Sequence, residues 1–352
     1  MNTIGHNGEA LMQMAYPLME TLPSNGARIK TSNGQIQWQK TVKEETPQEK
    51  THEFGSWASH SPVTDGKHIY AYFGSRGLFC LDMQGNLRWE RGFGQMSKKM
   101  SFGEGSSPVL HDNKIIIVWD HEGDSFIIAL DKNTGKDVWK VDRHEATTWT
   151  TPFIVEVEEK PQVIASGTNR IRSYDPATGK LIWECGGMTA NCIPMPVTAN
   201  DILYVMSGFR GSALLAINLL KAKGDITDSG AIVWKYDKDT PYTPCPLLLD
   251  HNLYFLRVNN GILSCLDARN GKGYYRNERL EGMGNLFTSP VGVKDRIYIL
   301  GGSGVTYVIK HGPEFKILAK NELEDNFHAS PAIIENYIYL RGFNNLYCIS
   351  QE

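Results

Sequence analysis

Four arginines fall at similar places in four separate stretches of this 352-residue sequence: Arg76, Arg170, Arg210 and Arg341. A guanidinium presents a planar fork of donors that matches a carboxylate or a phosphate. The set therefore points to an anionic ligand, such as an acidic sugar or a peptide carboxylate. The same side chains could instead tie down neighbouring loops through backbone carbonyls or an acid such as Glu104. The densest group of possible acids, bases and metal ligands is Asp120-His121-Glu122-Gly123-Asp124. Carboxylates with one histidine suit calcium or manganese. An extended chain would point Asp120 and His121 to opposite sides, so a shared site needs a bend, which Gly123 permits. The other reading of this stretch is a loop pinned by side-chain-to-backbone bonds. His60 and His328, two and three residues ahead of a proline, could act as general acid or base or be satisfied loop histidines. Trp149, Asn191 and Asn285 complete the set of candidate binding residues. No nucleophile elbow, phosphate-binding loop, dinucleotide fingerprint or His-Glu-x-x-His occurs.

The elements that must position these groups are repeats. An apolar strand, Ser125 to Leu130, enters a tight turn at Asp131-Lys132-Asn133-Thr134-Gly135, and the strand that leaves it carries Trp139. The arrangement recurs with Asp82, Gly85 and Trp89, with Asp175, Gly179 and Trp183, and with Asp267, Gly271 and Tyr275. Glycine supplies the positive φ such hairpins need. Prolines 62, 108, 152, 196, 246, 290 and 331 each open a short apolar strand, at intervals of 41 to 50 residues. Proline is tolerated there because a first residue can forgo its ladder donor. Four short antiparallel strands in about 45 residues make a β-propeller blade. The fold class is accordingly all-β, a propeller of four-stranded blades. Seven blades are expected, the last closed by the N-terminal strand that carries Trp38; eight blades are the alternative. Residues 1–26 are expected to be a tail or cap and residues 27–352 one propeller domain. The stretch Leu220 to Gly230 is expected to be a lengthened turn in the fourth blade.

Strands alternate in direction, so loops joining blades and loops joining second to third strands emerge on one face. That face receives Arg76, Glu104, His121, Glu122, Trp149, Arg170, Asn191, Arg210, Asn285, His328 and Arg341, and loops on a rigid scaffold are where binding usually resides. Hydrophobic content of 41% and charged content of 21% fit a globular protein. A formal net charge of −3 gives no electrostatic case for nucleic acid. No apolar run reaches membrane-span length and no secretory leader is evident. The six cysteines include no C-x-x-C pair, which argues against zinc. Cys80, Cys265 and Cys348 share one strand position and are expected to be buried small apolar residues.

The Leu-Asp-x-x-Thr-Gly-Lys-x-x-Trp signature, seen at residues 130–139, resembles the PQQ-like repeat of the quinoprotein alcohol dehydrogenase-like superfamily. That superfamily also includes the lipoprotein propeller of the outer-membrane protein assembly machine. The quinoprotein dehydrogenases hold their quinone over a tryptophan and under a disulfide between adjacent cysteines. They bind calcium through Glu and Asn and use an Asp as base. No adjacent cysteine pair exists here, so PQQ is not expected; no cofactor is assigned, with Ca2+ left open at Asp120, His121, Glu122 and Asp124. The expected function is a binding or scaffold module whose partner is a protein or small anionic ligand, in a monomer that binds no nucleic acid and has no membrane span. The alternative is a quinone- or metal-dependent oxidoreductase or a carbohydrate-active enzyme using the same face. The resemblance suggests an extracytoplasmic location; without it the chain would be read as cytoplasmic.

Overall fold

The computed structural model describes residues 3–5, 9–15, 22–30 and 33–350, with side chains described from residue 24 onward. Apart from three short 3-10 turns, the regular elements are β-strands. The fold is a β-propeller of small antiparallel sheets. The chain divides into two compact units: residues 1–154 with 162–165 and 174–181, and residues 155–161 with 166–173 and 182–352.

Each of the seven prolines opens a sheet, as the spacing predicts. The first blade runs through Val63–Thr64, His68–Tyr72, Leu78–Asp82 and Leu87–Arg91. The second runs through Val109–His111, Lys114–Trp119, Phe126–Asp131 and Asp137–Asp142. Middle strands are apolar throughout because both faces are covered. Tyr70, Tyr72, Leu78, Cys80, Ile115, Ile117 and Trp119 form one buried cluster between neighbouring sheets. Ile116, Val118, Ile127 and Ala129 supply the opposite face of the second blade to the next cluster.

One contact recurs at the outer edge. The Trp89 indole N–H donates to the Lys132 carbonyl at 3.1 Å, in the turn of the following blade. Trp38 does the same to Met83 at 3.0 Å, Trp139 to Pro176 at 2.9 Å and Trp234 to Ala268 at 3.0 Å. In each case the acceptor follows the turn's aspartate. The ring then lies on that turn's glycine: a Cβ at Gly135 would meet Trp89 at 2.6 Å, and one at Gly179 would meet Trp139 at 2.7 Å. A bulge beside each tryptophan, as between Cys80↔Trp89 and Leu81↔Leu87, turns the side chain toward its dock. At the inner ends, the residue before one proline donates its N–H to the side chain before the next. Ser61 donates to Ser107 Oγ at 2.9 Å, Ser107 to Thr151 Oγ1 at 3.0 Å, and Met195 to Cys245 Sγ at 3.3 Å. Cys245 is thus a hydrogen-bond acceptor in a serine's place.

The N-terminal strand departs from expectation. Ile36–Glu45 does not complete the last blade; it pairs with Leu22–Lys30 in a four-stranded sheet that also holds Thr3–Gly5 and Glu9–Ala15. The Gly34 hairpin, with Gly34 N–H on the Lys30 carbonyl at 2.8 Å, brings these two strands together locally. Pairing across so short a loop costs far less entropy than closing the whole chain. Two of these strands lie in the stretch read from sequence as tail or cap. The last blade, Ala332–Ile334, Tyr337–Arg341 and Leu346–Ser350, has three strands among the described residues. The insert also does more than lengthen a turn. Its Gly224–Asp225 pairs in parallel with Trp183 and Glu184 and caps the outer edge of the third blade.

Gly135→Ala, at φ +70° and under Trp89, should therefore cost about 2–4 kcal/mol of unfolding free energy. Gly34→Ala, at φ +72° with open space around it, should cost about 1 kcal/mol. Urea denaturation of the two variants checks this, and equal losses would contradict the docking role.

Candidate functional site

In the first unit the Gly74–Arg76 turn, between the second and third strands of the first blade, meets the two loops that flank that blade. Glu104 accepts the Ser75 N–H at 2.7 Å and the Ser75 hydroxyl. Ser75 Oγ in turn accepts the Met96 N–H at 2.8 Å. Any side chain at Gly74 would strike the Glu104 carboxylate, and its φ of +58° also demands glycine. Burial raises the Glu104 pKa, opposed by its bonds to Ser75 and by Lys98 and Arg76.

Arg76 is buried beside this carboxylate. Its Nε lies 3.7 Å from Glu45 Oε1, beyond hydrogen-bond length, and its guanidinium carbon is 5.9 Å from the Trp57 ring centre. Nε and Nη2 have no hydrogen-bond partner among the described residues. A cavity of about 40 Å³ lies here, lined by Glu45, Glu49, Trp57, Ser75, Arg76 and Glu104 among others. Trp57 is fixed by its indole bond to the Glu49 carbonyl at 3.0 Å. His60 sits nearby, 3% exposed and edge-on to Tyr72, with neither ring nitrogen bonded among the described residues. Burial, with Lys98 adding, lowers its pKa to about 3, so it is a neutral ring.

Trp149 borders the same loops, its indole bonded to the Gly103 carbonyl at 2.7 Å. Between them Lys98 is buried, its ammonium 5.6 Å from the Trp149 ring centre and bonded to the Asp120 and Thr148 carbonyls. Burial brings its pKa down to about 8.

The candidate metal cluster is not assembled. Asp120 points inward, fully buried, and gives one oxygen to Arg143 Nε at 2.8 Å and the other to Nη2 at 3.1 Å. Thr148 Oγ1 adds a third bond at 2.8 Å. His121 Nδ1 accepts the Ser97 N–H, Glu122 accepts the Thr147 N–H, and Asp124 is exposed. Among the described residues no three His, Cys, Asp or Glu side chains converge to hold a metal. The strand ends at Trp119 and residues 121–124 do bend, but the bend leaves Asp120 inward on Arg143 and Asp124 exposed.

In the second unit the other arginines take separate partners. Arg170 donates to Asp225 at 2.8 Å and Thr227 at 3.2 Å, both in the insert. Arg210 is exposed over its neighbour Phe209. Arg341 ends a strand opposite Leu346. Asn191 donates its N–H to Thr168 Oγ1 at 3.1 Å, and the exposed Asn285 packs its carbonyl against Gly302. His328 lies between Phe287 and Phe343, with ring centres 4.7 and 4.8 Å away. Of the expected set, then, Arg76 and Glu104 share a cavity in the first unit with Trp149 close by, while Arg170, Asn191, Arg210, Asn285, His328 and Arg341 belong to the second unit. Sequence reasoning missed Arg143, and also Asp325, which accepts the N–H groups of Asn326, Phe343, Asn344 and Asn345. It also left Glu49 and Lys98 unassigned.

Residues 25–276 match the sequence profile of the family described as outer membrane protein assembly factor BamB. The outer membrane protein assembly factor BamB of Shewanella oneidensis is 23% identical over 220 residues. That alignment covers 62% of this chain and 51% of the relative, so the chain spans about half the length of the curated protein it matches. Among solved structures, BamB from Moraxella catarrhalis is similar over 97% of this chain and 100% of that chain, with a TM-score of 0.68 and 16% identity. Quinohemoprotein alcohol dehydrogenase from Comamonas testosteroni is similar over 95% of this chain and 68% of that one, with a TM-score of 0.66 and 10% identity. At such identities these structures establish the fold alone.

His60 makes the site pH-sensitive. The unfolded chain takes up its imidazole proton below about 6.5, the buried ring only near 3, so stability falls as pH drops through that window. His60→Phe should flatten the dependence between pH 4 and 6 by up to about 1.4 kcal/mol per pH unit. Denaturation midpoints measured across that range test this, and parallel slopes would contradict it.

Proposed function

This chain belongs to the family of the outer membrane protein assembly factor BamB, and on that premise we propose that it is a non-catalytic binding module of the cell envelope, facing the periplasm. Its partner is a protein segment that presents a carboxylate to Arg76. The observation that carries this reading is the edge of a buried guanidinium at a cavity, Nε and Nη2, that has no hydrogen bond among the described residues. Arg143 offers the comparison within the same unit, since that very edge holds both oxygens of Asp120.

At Arg76 the edge has, among the described residues, Glu45 at 3.7 Å, and Glu45 is also drawn to Lys43 at 3.0 Å. An incoming carboxylate would displace Glu45 and make two charge-assisted bonds, each stronger than a neutral one. Trp57 gives an apolar wall beside it, a pairing of aromatic and arginine that is frequent at energetically dominant contacts. The remaining acids that could have served chemistry are engaged: Asp120 with Arg143, Glu122 with Thr147, and Asp325 with four backbone groups. These commitments support a scaffold rather than an acid–base site.

Fluorescence anisotropy with short peptides ending in a free carboxylate, against their C-terminal amides, tests the reading. The carboxylates should bind, and Arg76→Gln should weaken them at least tenfold, about 1.4 kcal/mol. The same variant should match or exceed the parent in thermal stability, because it removes a buried charge whose Nε and Nη2 have no hydrogen bond among the described residues. Equal binding by the variant would overturn the assignment.

A further inference from the structure

The cavity beside Arg76 is smaller than the end of a peptide. Its volume is about 40 Å³, room for a few waters. A cavity that admits a benzene ring measures about 150 Å³. A terminal carboxylate brings its own backbone with it, so one wall must move. The two walls are built differently.

The inner wall is fixed. Glu104 accepts both donors of Ser75, Ser75 Oγ accepts the Met96 N–H, and Gly74 packs against the carboxylate. The outer wall is made largely by residues 46–56, which follow the strand Ile36–Glu45 and belong to no strand themselves. Pro47, Glu49 and Thr51 are half-buried, while Thr46, Gln48, Lys50 and His52 are exposed. This is the alternation of an extended segment laid on a surface. The segment is tied down at Glu49 and His52. Glu49 Oε2 accepts the Lys98 N–H at 3.1 Å, and the Glu49 carbonyl accepts the Trp57 indole N–H at 3.0 Å. His52 donates its N–H to the Phe102 carbonyl at 3.4 Å, and its ring stands edge-on to Phe102.

We propose that residues 46–56 are a strap, latched by Glu49, which lifts to admit a peptide carboxylate to Arg76. The proposal rests on the reading of Arg76 as a carboxylate site and adds the gate that controls entry. On lifting, Glu49 gives up the Lys98 N–H and the Trp57 indole, while Trp57 stays against the guanidinium. Glu45, the residue at the root of the strap, leaves Arg76 with it. Displacement of Glu45 and opening of the cavity are then one movement.

A disulfide between Thr51→Cys and Gly103→Cys would lock the strap. A Cβ at Gly103 would lie 3.4 Å from that of Thr51, at the near edge of the separation a disulfide spans. Cys348→Ser removes the exposed native thiol. Comparing the oxidised and reduced forms of this one protein keeps the strain of a side chain at φ +87° the same in both. A fluorescein-labelled pentapeptide with a free carboxylate should bind the reduced form and bind the oxidised form at least tenfold more weakly, with recovery on adding dithiothreitol. Equal binding by the two forms would overturn the strap and leave the Arg76 reading standing. Failure of the unaltered chain to bind would overturn that reading instead, and hydrogen exchange without peptide then judges the strap. The Lys98 and His52 amides, bonded across the strap, should exchange at least tenfold faster than the Ser75 amide on the fixed wall. Equal protection of the three would overturn the proposal.

Discussion

A tryptophan that reaches from one sheet to rest on the hairpin of the next is the constraint on which the rest of this structure depends. The indole has one donor, and it finds the carbonyl that follows the turn's aspartate, as Trp89 does at Lys132. The ring needs a flat seat, and the glycine at positive φ provides one, as Gly135 does. The aspartate sets the turn, with Asp131 Oδ1 accepting the N–H groups of Asn133 and Thr134 at 3.1 and 2.9 Å. Each residue of the repeat thus has a separate physical task. A ladder of backbone bonds holds each sheet, and apart from a few backbone bonds such as those of Gly224–Asp225 to Trp183 and Glu184, side chains join one sheet to its neighbour, so these docks fix the spacing of blades. The apolar clusters between sheets supply most of the cohesion, because removing apolar surface from water is the main force driving a chain to fold.

The cavity at Arg76 exists because that spacing is held. Gly74–Arg76 belongs to one blade and Glu104 to the loop entering the next, and Ser75 links them by donating both its N–H and its hydroxyl to the carboxylate. Lys98, bonded to the Asp120 and Thr148 carbonyls, braces the neighbouring loop from within. The Asp120–Arg143 pair is fully buried and satisfied by Thr148 and Tyr174, which makes it a rigid wall. Arg76 contrasts with it in the same unit. One guanidinium is saturated by the protein and the other has no hydrogen bond at the corresponding edge among the described residues.

The repeat, the proline marker and the propeller were legible in the sequence because local chemistry dictates them. Turns need glycine, first strand residues tolerate proline, and the fourth strand repeats its tryptophan. Partners brought together over long separations were not legible. Nothing adjacent to Arg143 in the sequence announces Asp120, and nothing in Arg170 announces Asp225, 55 residues away in an insert that read as a mere turn. Ile36–Glu45 has the pattern of a fourth strand whichever third strand it joins, so its pattern could not decide between the final blade and Leu22–Lys30. Cys348 likewise shares its local sequence with two buried cysteines yet is exposed, no strand pairing with that side of Leu346–Ser350 among the described residues. Arg76 and Glu104 were both legible as candidates, but their shared cavity came from packing.

Hydrogen exchange of the indole N–H protons in the native state addresses the docking of blades most directly. The indole protons of Trp38, Trp89, Trp139 and Trp234, each bonded to a carbonyl of the adjoining hairpin, should exchange slowly, through opening of the sheets. If those four protons instead exchanged at the rate of an exposed tryptophan while the backbone amides of the same strands stayed protected, the docks would not be holding the blades together.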